Sequence, residues 1–321
     1  MHSFKSLSEQ FENHFNKRHF PLSPANLYDA AQYILKIGGK RVRPVSVLMA
    51  CELFNEITDD AYHVATAIEL FHNFSLIHDD IMDKAPLRRG MDTVHSKYGE
   101  STALLAGDVM LVVAYEEINK IKPSTLHDVL TLFSKTAKEV CEGQQMDMDF
   151  ENRLEVNLDE YIEMITLKTS VLLAASLQMG AILGGAGKGN QQHLYEFGKN
   201  IGISFQIQDD YLDAFGDPDK FGKQIGGDIL SNKKTFLLIH ALSVATDQQK
   251  RDLEQLMSGK DEHKVEKVLQ IFKDCNVEEW ANSLKKKYAD LAIKHLDETA
   301  VSEQRKLELK NLTHLLLERN T

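Results

Sequence analysis

Apolar residues recur at helical spacing through most of the chain. Val64, Ile68 and Phe71 lie on one such stripe, with the i, i+4, i+7 spacing of a helix that buries one face. Prolines interrupt helices, and this chain has six of them, with none between Ser124 and Asp217. Alternating runs of β-branched residues, which would indicate strands, are nearly absent. The pattern therefore predicts an all-α protein with many helices and no sheet.

The breaks between the predicted helices are short. Gly38–Gly39 predicts the end of an early helix, and Ala85–Pro86 predicts the end of a helix that carries the sequence HDDIMD. Residues 184–190 are rich in glycine and predict a surface loop. We find no interdomain linker and no internal repeat. Residues 1–321 are therefore predicted to form a single domain.

The most apolar stretch, residues 171–187, contains Ser176 and Gln178 and is rich in Ala and Gly. It is shorter than the roughly 20 residues of a membrane-spanning helix. We therefore expect a buried helix and no integral membrane segment. The first fifteen residues have no apolar core of the kind found in signal peptides.

The composition narrows the class of function. Lys and Arg number 37 and Asp and Glu number 48, which gives a net charge of −11 at pH 7. An acidic surface argues against general nucleic-acid binding. Cys51, Cys141 and Cys275 are widely spaced and form no CxxC, so neither a disulfide framework nor a zinc site is indicated. A cytoplasmic location is predicted.

Two DDxxD sequences about 130 residues apart are the main chemical signal. Asp79 and Asp83 share a helix face, and Asp209 and Asp213 repeat that spacing. Each pair follows an apolar helix, at the end where the helix dipole disfavours negative charge. One such motif alone would also suit a solvated helix end. Two together suggest facing carboxylates that hold Mg²⁺, which proteins bind with few carboxylates and with substrate phosphates.

Basic clusters stand near both acidic motifs, as a phosphate substrate would require. Arg can bind phosphate oxygens in bidentate fashion, whereas Lys acts as a point charge. The clusters are GGKRVRP (38–44), RRG (88–90), Lys168–Thr169, FGK (221–223) and NKKT (232–235). Each alone is typical of a solvated surface, but their positions beside the acidic motifs favour a diphosphate site.

The motifs together resemble the trans-isoprenyl diphosphate synthases of the polyprenyl synthetase family. The matching sequences, in the family's order within residues 36–240, are GGKRVRP, ELFHNFSLIHDDIMDKAPLRRG, LLAGD, EGQQMD, LKTS, FQIQDDYLD and FGKQIGGDILSNKKT. The resemblance implies the isoprenoid synthase type I fold, a large helical bundle around a central active-site cavity. It also implies a homodimer that condenses isopentenyl diphosphate with an allylic diphosphate.

The resemblance also implies residue roles. About three Mg²⁺ ions would be held by Asp79, Asp83 and Asp209. Orientation of ligands or waters would fall to Asp80, Asp210 and Asp213. The allylic diphosphate would contact Arg88, Lys168, Lys223 and Lys233. Isopentenyl diphosphate would contact Lys40, Arg43, His72 and Arg89. The substrate-binding and catalytic polar atoms that face the reacting carbons would come from Lys168, Thr169 and Gln206.

Residues before the first motif set product length in the family. Ser75 lies one helical turn before Asp79, and Phe71 lies two turns before it, roughly 12 Å away by helical rise. A small Ser75 would let the growing tail pass, and Phe74 and Phe71 would then narrow or close the tunnel. This arrangement resembles the family's geranylgeranyl pattern. It predicts a twenty-carbon product, with the fifteen-carbon farnesyl product as the alternative.

Two other functions stay open. A class I terpene cyclase would share DDxxD, but its second metal motif typically has an Asn/Ser/Glu pattern and it would not need GGKRVRP. A non-catalytic subunit of a heteromeric prenyl synthase would have lost carboxylates or cations that are intact here. Activity of the chain purified alone separates the second alternative from a synthase.

Overall fold

The computed structural model describes residues 1–153, 155–216, 225–259 and 261–317. In the first half of the chain the helices are α1 (Phe4–Phe15), α2 (Ala25–Lys36), α3 (Val42–Glu52), α4 (Asp59–Met82), α5 (Val94–Tyr98), α6 (Glu100–Ile118) and α7 (Pro123–Asn152). In the second half they are α8 (Leu158–Ile165), α9 (Val171–Leu183), α10 (Lys188–Phe215), α11 (Gly227–Leu230), α12 (Phe236–Val244), α13 (Asp247–Ser258), α14 (Lys264–Asp274), α15 (Val277–Glu298) and α16 (Glu303–Leu317). The prediction of an all-α protein is confirmed.

The chain divides into two compact units. The first contains Met1–Ala137, Leu172–Tyr195 and Thr299–Glu308, and the second contains Lys138–Val171, Glu196–Glu298 and Leu309–Thr321. The long helices α7, α10 and α16 contribute residues to both units. A single domain over residues 1–321 stays a prediction.

Helix α4 is the centre of the first unit and packs most extensively against α6 and α3. Asp59 and Asp60 occupy its first turn, where the helix dipole favours negative charge. The residues of the predicted stripe, Val64, Ile68 and Phe71, are each at most 1% exposed. The helix ends just before Ala85–Pro86, as the sequence predicts. It therefore delivers the first acidic motif at the end of a fixed core helix.

Close approach of α4 and α6 depends on a glycine in the LLAGD sequence. A Cβ atom at Gly107 would lie 2.3 Å from Nε2 of His78. The His78 ring also contacts the Phe74 ring, with centroids 4.8 Å apart. A side chain at this position of α6 would displace the imidazole of His78, so the glycine lets that ring pack against the helix.

The prediction of no sheet is wrong at one short place. Leu87–Arg88 (β1) pairs antiparallel with Met91–Asp92 (β2). Arg89 and Gly90 connect them with positive φ angles of 53° and 77°, as two-residue hairpin turns require. Strands of two residues are too short to produce an alternating pattern, so the sequence gives no strand signal here.

The glycine-rich segment after α9 is also shorter than predicted. Gly185 takes a positive φ of 79° directly after α9, but α10 already begins at Lys188. Gly189 therefore lies in the first turn of α10, where the backbone N–H groups have no intrahelical acceptor. The loop is confined to residues 184–187 instead of 184–190.

The core of the second unit takes buried residues from α7, α8 and α10 to α15. Tyr161, Ile207, Phe236 and Phe272 are among its buried residues. Helix α8 begins with a capping box. The side chain of Asn157 accepts a hydrogen bond from the backbone N–H of Glu160, and the carboxylate of Glu160 accepts one from the backbone N–H of Asn157. This cap fixes the direction of α8 into the core.

One stretch, Leu158–Leu183, is long and apolar enough to cross a membrane by composition. Of its most apolar window, 72% is buried inside the protein. Core helices of globular proteins have this character as well, and the predicted buried helix from Val171 is confirmed as α9.

Candidate active site

The first acidic motif closes α4. Asp79 and Asp80 lie in the last turn, and Asp83 follows the helix in helical conformation, with its N–H donating to the carbonyl oxygen of Asp79 at 2.9 Å. Asp79 and Asp83 therefore lie one turn apart on the same face, as their spacing predicts. Asp80 points inward and is 2% exposed.

Arg88, on the hairpin, supplies a cation to this motif. Its Nε and Nη2 atoms donate to the two carboxylate oxygens of Asp80 at 2.9 and 2.8 Å. Nη2 also lies 3.4 Å from Oδ2 of Asp79. Such bidentate pairing fixes the plane of the guanidinium. The sequence predicts that Arg88 binds diphosphate, and the structure shows that Asp80 holds it beside the metal-type carboxylates.

A second basic group forms around His72 in the same unit. Nη1 of Arg43 lies 3.4 Å from Nε2 of His72. The guanidinium of Arg89 covers Gly39, where a Cβ atom would lie 2.8 Å from Nη1. Exposed Lys40 follows Gly39 in the same loop. The structure therefore brings the predicted isopentenyl diphosphate residues into one neighbourhood.

The charge state of His72 follows from this environment. Burial, and then the positive charges of Arg43 and Arg89, hold the pKa of His72 well below its ordinary value. At neutral pH the imidazole is therefore uncharged. It can exchange one hydrogen bond with a ligand without adding another positive charge to the cluster.

Arg41, within GGKRVRP, has a different role from its neighbours. It is buried and has a left-handed backbone, with φ of 51°. Its guanidinium donates to Glu12 at 2.6 Å, to the buried carboxylate of Glu69, and to the carbonyl oxygen of Leu35 at 3.2 Å. Arg41 thus holds the loop before α3 in place, which spacing alone does not distinguish from phosphate binding.

In the second unit, a cavity of about 470 Å³ is lined by both carboxylates and lysines. The predicted residues that line it are Lys168, Thr169, Gln206, Asp209, Asp210, Asp213 and Lys233. Lys234, from the predicted cluster NKKT, lines it too, and lining residues that the sequence does not single out include Asp147, Tyr161 and Asp228. Lys223, predicted to bind diphosphate, lies outside the described residues.

Lys168 and Thr169 lie on a single π-helical turn, Thr166–Ser170, between α8 and α9. The turn is packed tightly on both sides: a Cβ atom at Gly143 would lie 2.2 Å from the backbone nitrogen of Lys168, and one at Gly202 would lie 2.8 Å from Cα of Ser170. These two glycines let α7 and α10 approach the widened turn closely.

Two lysines of the cavity are paired with carboxylates. Nζ of Lys168 donates to Oδ2 of Asp147 at 2.6 Å, and Nζ of Lys233 lies 3.7 Å from Oδ1 of Asp228. Asp147 belongs to EGQQMD and Asp228 to GGDIL, both within the sequences that carry the family resemblance. Their acidic character was the available signal, but their lysine partners are 21 and 5 residues away and no local spacing links them.

Asp210 of the second acidic motif belongs to a network of hydrogen bonds. The hydroxyl of Thr169 donates to Oε1 of Gln206 at 3.3 Å, and Nε2 of Gln206 donates to Oδ1 of Asp210 at 2.9 Å. The buried hydroxyl of Tyr161 donates to Oδ2 of Asp210. Burial and the negative charge of Asp228 raise the pKa of Asp210 to about 7.

Asp213 has a local task. Its Oδ2 atom accepts the backbone N–H of Asp228 at 2.9 Å, which ties the end of α10 to the start of α11. Asp209 lines the cavity together with Asp210 and Asp213. The predicted division of roles in the motif, with Asp209 for metal and Asp210 and Asp213 for orientation, is compatible with these contacts and stays a prediction.

An aromatic cluster lies before the first motif on α4. The Phe71 ring contacts Phe74 and Phe133, with centroids 5.4 and 5.5 Å apart. Phe133, from α7, in turn contacts Tyr115 of α6 at 5.0 Å. Ser75 is partly exposed, and its hydroxyl donates to the carbonyl oxygen of His72 at 2.8 Å. The sequence identified the phenylalanines of α4 but not Phe133, which is distant in the chain.

Comparison with known proteins gives a consistent result. A sequence model of the polyprenyl synthetase family matches residues 24–275. The geranylgeranyl diphosphate synthase of Saccharolobus solfataricus is 41% identical over 282 residues, which cover 86% of this chain and 85% of that protein. The short chain isoprenyl diphosphate synthase of Methanothermobacter thermautotrophicus is 36% identical over 320 residues, covering 99% and 98%. A crystal structure of a geranylgeranyl pyrophosphate synthase matches with a TM-score of 0.95 and 40% identity over 100% of both chains.

Proposed function

Because the chain belongs to the polyprenyl synthetase family, we propose that it condenses isopentenyl diphosphate head to tail with an allylic diphosphate. The allylic partner is dimethylallyl, geranyl or farnesyl diphosphate, and the product is a short all-trans prenyl diphosphate. Family membership confirms the resemblance and the isoprenoid synthase fold predicted from the motifs. The observation that carries the proposal is the cavity of the second unit, which is lined by carboxylates together with lysines.

The residues present fit magnesium. Mg²⁺ takes oxygen ligands, and it is usually held by one or two carboxylates together with substrate phosphates. Asp79 and Asp83 offer such oxygens from one helix face, and Asp209 offers another beside Lys168 and Lys233. About three ions are expected by family resemblance. When bound, the metal would neutralise charge that builds up on the departing diphosphate.

The protein's own residues would bind the diphosphate while the reaction proceeds between the two substrates. Lys168, Lys233 and Arg88 would bind the allylic diphosphate as its bond to carbon breaks and an allylic cation forms. The π-electrons of isopentenyl diphosphate would then form the new carbon–carbon bond, and a proton would be lost to give the product's double bond. No side chain of the described site is assigned as the base, and the released diphosphate would take that proton.

Polar oxygens near the reacting carbons would stabilise the cation before it is captured. Thr169 and Gln206 present such atoms at the cavity wall. Apolar neighbours Met164 and Ile165 line the same cavity. They would limit the access of water, which would otherwise add to the cation.

A twenty-carbon product follows from the residues before Asp79. Phe71, Phe74 and Phe133 form a contiguous cluster of aromatic rings on and beside α4. Such rings would stop a tail that passes Ser75. Geranylgeranyl diphosphate is therefore the proposed product, with farnesyl diphosphate as the alternative.

A homodimer in the cytoplasm is proposed as the working form. Leu104, Leu105 and Val112 of α6 are 50%, 57% and 56% exposed, and exposed apolar groups on one helix favour a protein partner. Light scattering of the purified chain should give twice the mass of a single chain, whereas the mass of a monomer would contradict the proposal. The three cysteines are free thiols, which suits a reducing compartment.

The activity itself is tested by release of inorganic diphosphate. Purified chain with Mg²⁺, isopentenyl diphosphate and geranyl diphosphate should release diphosphate only when both substrates are present. Addition of EDTA should stop the release. Release without isopentenyl diphosphate, accompanied by a cyclic hydrocarbon, would instead indicate a terpene cyclase. Absence of any reaction would favour the non-catalytic subunit.

A further inference from the structure

Tyr161 is a buried polar residue for which the proposed reaction has no direct use. Its side chain lies in the core of the second unit and is 2% exposed, with its ring against Phe236 at a centroid distance of 5.8 Å. The hydroxyl nevertheless reaches the cavity wall, where it donates to Asp210. A phenylalanine would fill the same apolar space, so the hydroxyl requires a separate explanation.

The hydroxyl completes the hydrogen bonding of Asp210. One carboxylate oxygen accepts from Tyr161 and the other accepts from Nε2 of Gln206 at 2.9 Å. Donors from two different helices, α8 and α10, therefore hold the carboxylate in one plane. In its ionised form Asp210 accepts from both donors, and the amide of Gln206 turns its NH₂ group towards it.

The orientation of the amide decides which atoms face Thr169. With Nε2 bound to Asp210, the other end of the Gln206 side chain is a carbonyl oxygen, and it accepts from the Thr169 hydroxyl at 3.3 Å. The opposite orientation would present an NH₂ group at that place. A carbonyl oxygen is the end that stabilises a nearby carbocation, whereas an NH₂ group would repel it.

We propose that Tyr161 is a positioning residue, which holds Asp210 so that Gln206 keeps its carbonyl oxygen towards Thr169 and the reacting carbons. This role rests on the proposed function. It concerns the chemical step, since the Tyr161 hydroxyl is bonded to Asp210 and the ring packs against Phe236. Loss of the hydroxyl should therefore slow turnover without weakening substrate binding.

The test compares Tyr161→Phe with wild type in steady-state condensation. We expect kcat to fall by about tenfold, the equivalent of one lost hydrogen bond. The KM values for both substrates and the Mg²⁺ concentration for half-maximal rate should stay within about twofold of wild type. A matched control is Tyr62→Phe, which removes a hydroxyl that donates to Gln10 at 3.2 Å. Its kinetics should equal those of wild type.

A double variant separates positioning from a general structural role. If Tyr161 acts through Gln206, adding Tyr161→Phe to Gln206→Ala should lower kcat no further. Independent, multiplicative losses would overturn the proposal, as would a raised Mg²⁺ requirement, which would indicate action through Asp209. A condensing wild type with an unaffected Tyr161→Phe variant would overturn the positioning role alone. Failure of wild type to condense would instead refute the proposed function and this role with it.

Discussion

Nζ of Lys168, on the π-turn, donates to Oδ2 of Asp147, on α7, at 2.6 Å. The lysine expected to bind diphosphate therefore has a fixed direction before any substrate arrives. Arg88 is held by Asp80 in the same manner. Cations that are oriented by carboxylates lose less freedom on binding an anion, so the pairing pre-organises the site.

Asp147→Asn should lower kcat/KM for the allylic diphosphate by about tenfold, because the charge-assisted bond that directs Lys168 is lost. The measurement is the rate at low allylic substrate and saturating isopentenyl diphosphate. Asp149→Asn is the control, since Asp149 is exposed and accepts from Gln145. A rise in kcat/KM would contradict this view and would mean that Asp147 competes with the diphosphate for Lys168.

Gly143→Ala should displace the π-turn. The new Cβ would meet backbone atoms of Leu167 and Lys168 at 2.7 and 2.2 Å, and backbone cannot rotate away as a side chain can. We expect a loss of about 1–3 kcal/mol in the free energy of unfolding together with loss of activity. Urea denaturation and the condensation assay measure the two effects.

Gly189→Ala provides the matched comparison for that variant. It lies in the first turn of α10 with no neighbour within 4 Å of its added Cβ. Alanine there should leave the free energy of unfolding unchanged or raise it by up to about 1 kcal/mol. Equal destabilisation by both substitutions would show that close packing at Lys168 is not the reason for Gly143.

His72→Gln should reduce the acid sensitivity of the fold. The pKa of His72 is lowered by burial and by neighbouring arginines in the folded chain, whereas the unfolded chain takes up a proton near about pH 6.5. The contribution of His72 to stability is therefore fully present above that pH and is lost as the pH falls. Between pH 7.5 and pH 5.5, wild type should lose more of its thermal stability than the variant. An identical loss in both would contradict the lowered pKa of His72.

Phe74→Ala should lengthen the product. Removal of this ring opens space beside Phe71, so a tail that passes Ser75 could extend further. Products would be dephosphorylated and separated by chain length. Phe272→Leu, in the core of the second unit against Phe215, should leave the product length unchanged. An unchanged product from Phe74→Ala would move the limiting position to Phe71 or Phe133.

Much of the architecture could be predicted because its signals are local. The stripe on α4, the position of DDxxD at a helix end and the breaks at Gly38–Gly39 and Ala85–Pro86 depend on residues within a few turns of one another. Burial of that stripe and the end of α4 before Pro86 agree with the pattern.

The missed features depend on contacts between distant segments. Tyr161 meets Asp210 across 49 residues, and Gly143 meets Lys168 across 25. A glycine inside α7 gives a weak helix signal, and its reason appears only when the π-turn packs against it. The hairpin at Arg88 was missed for a different reason, since two-residue strands leave no period to detect.

The most direct measurement is the chain length of the product made by the wild-type protein. Labelled isopentenyl diphosphate would be incubated with Mg²⁺ and, in turn, dimethylallyl, geranyl and farnesyl diphosphate, and the resulting alcohols would be separated. We expect elongation with a dominant twenty-carbon alcohol. A dominant fifteen-carbon alcohol would keep the synthase but contradict the proposed tunnel. No elongation with any starter would contradict the synthase itself.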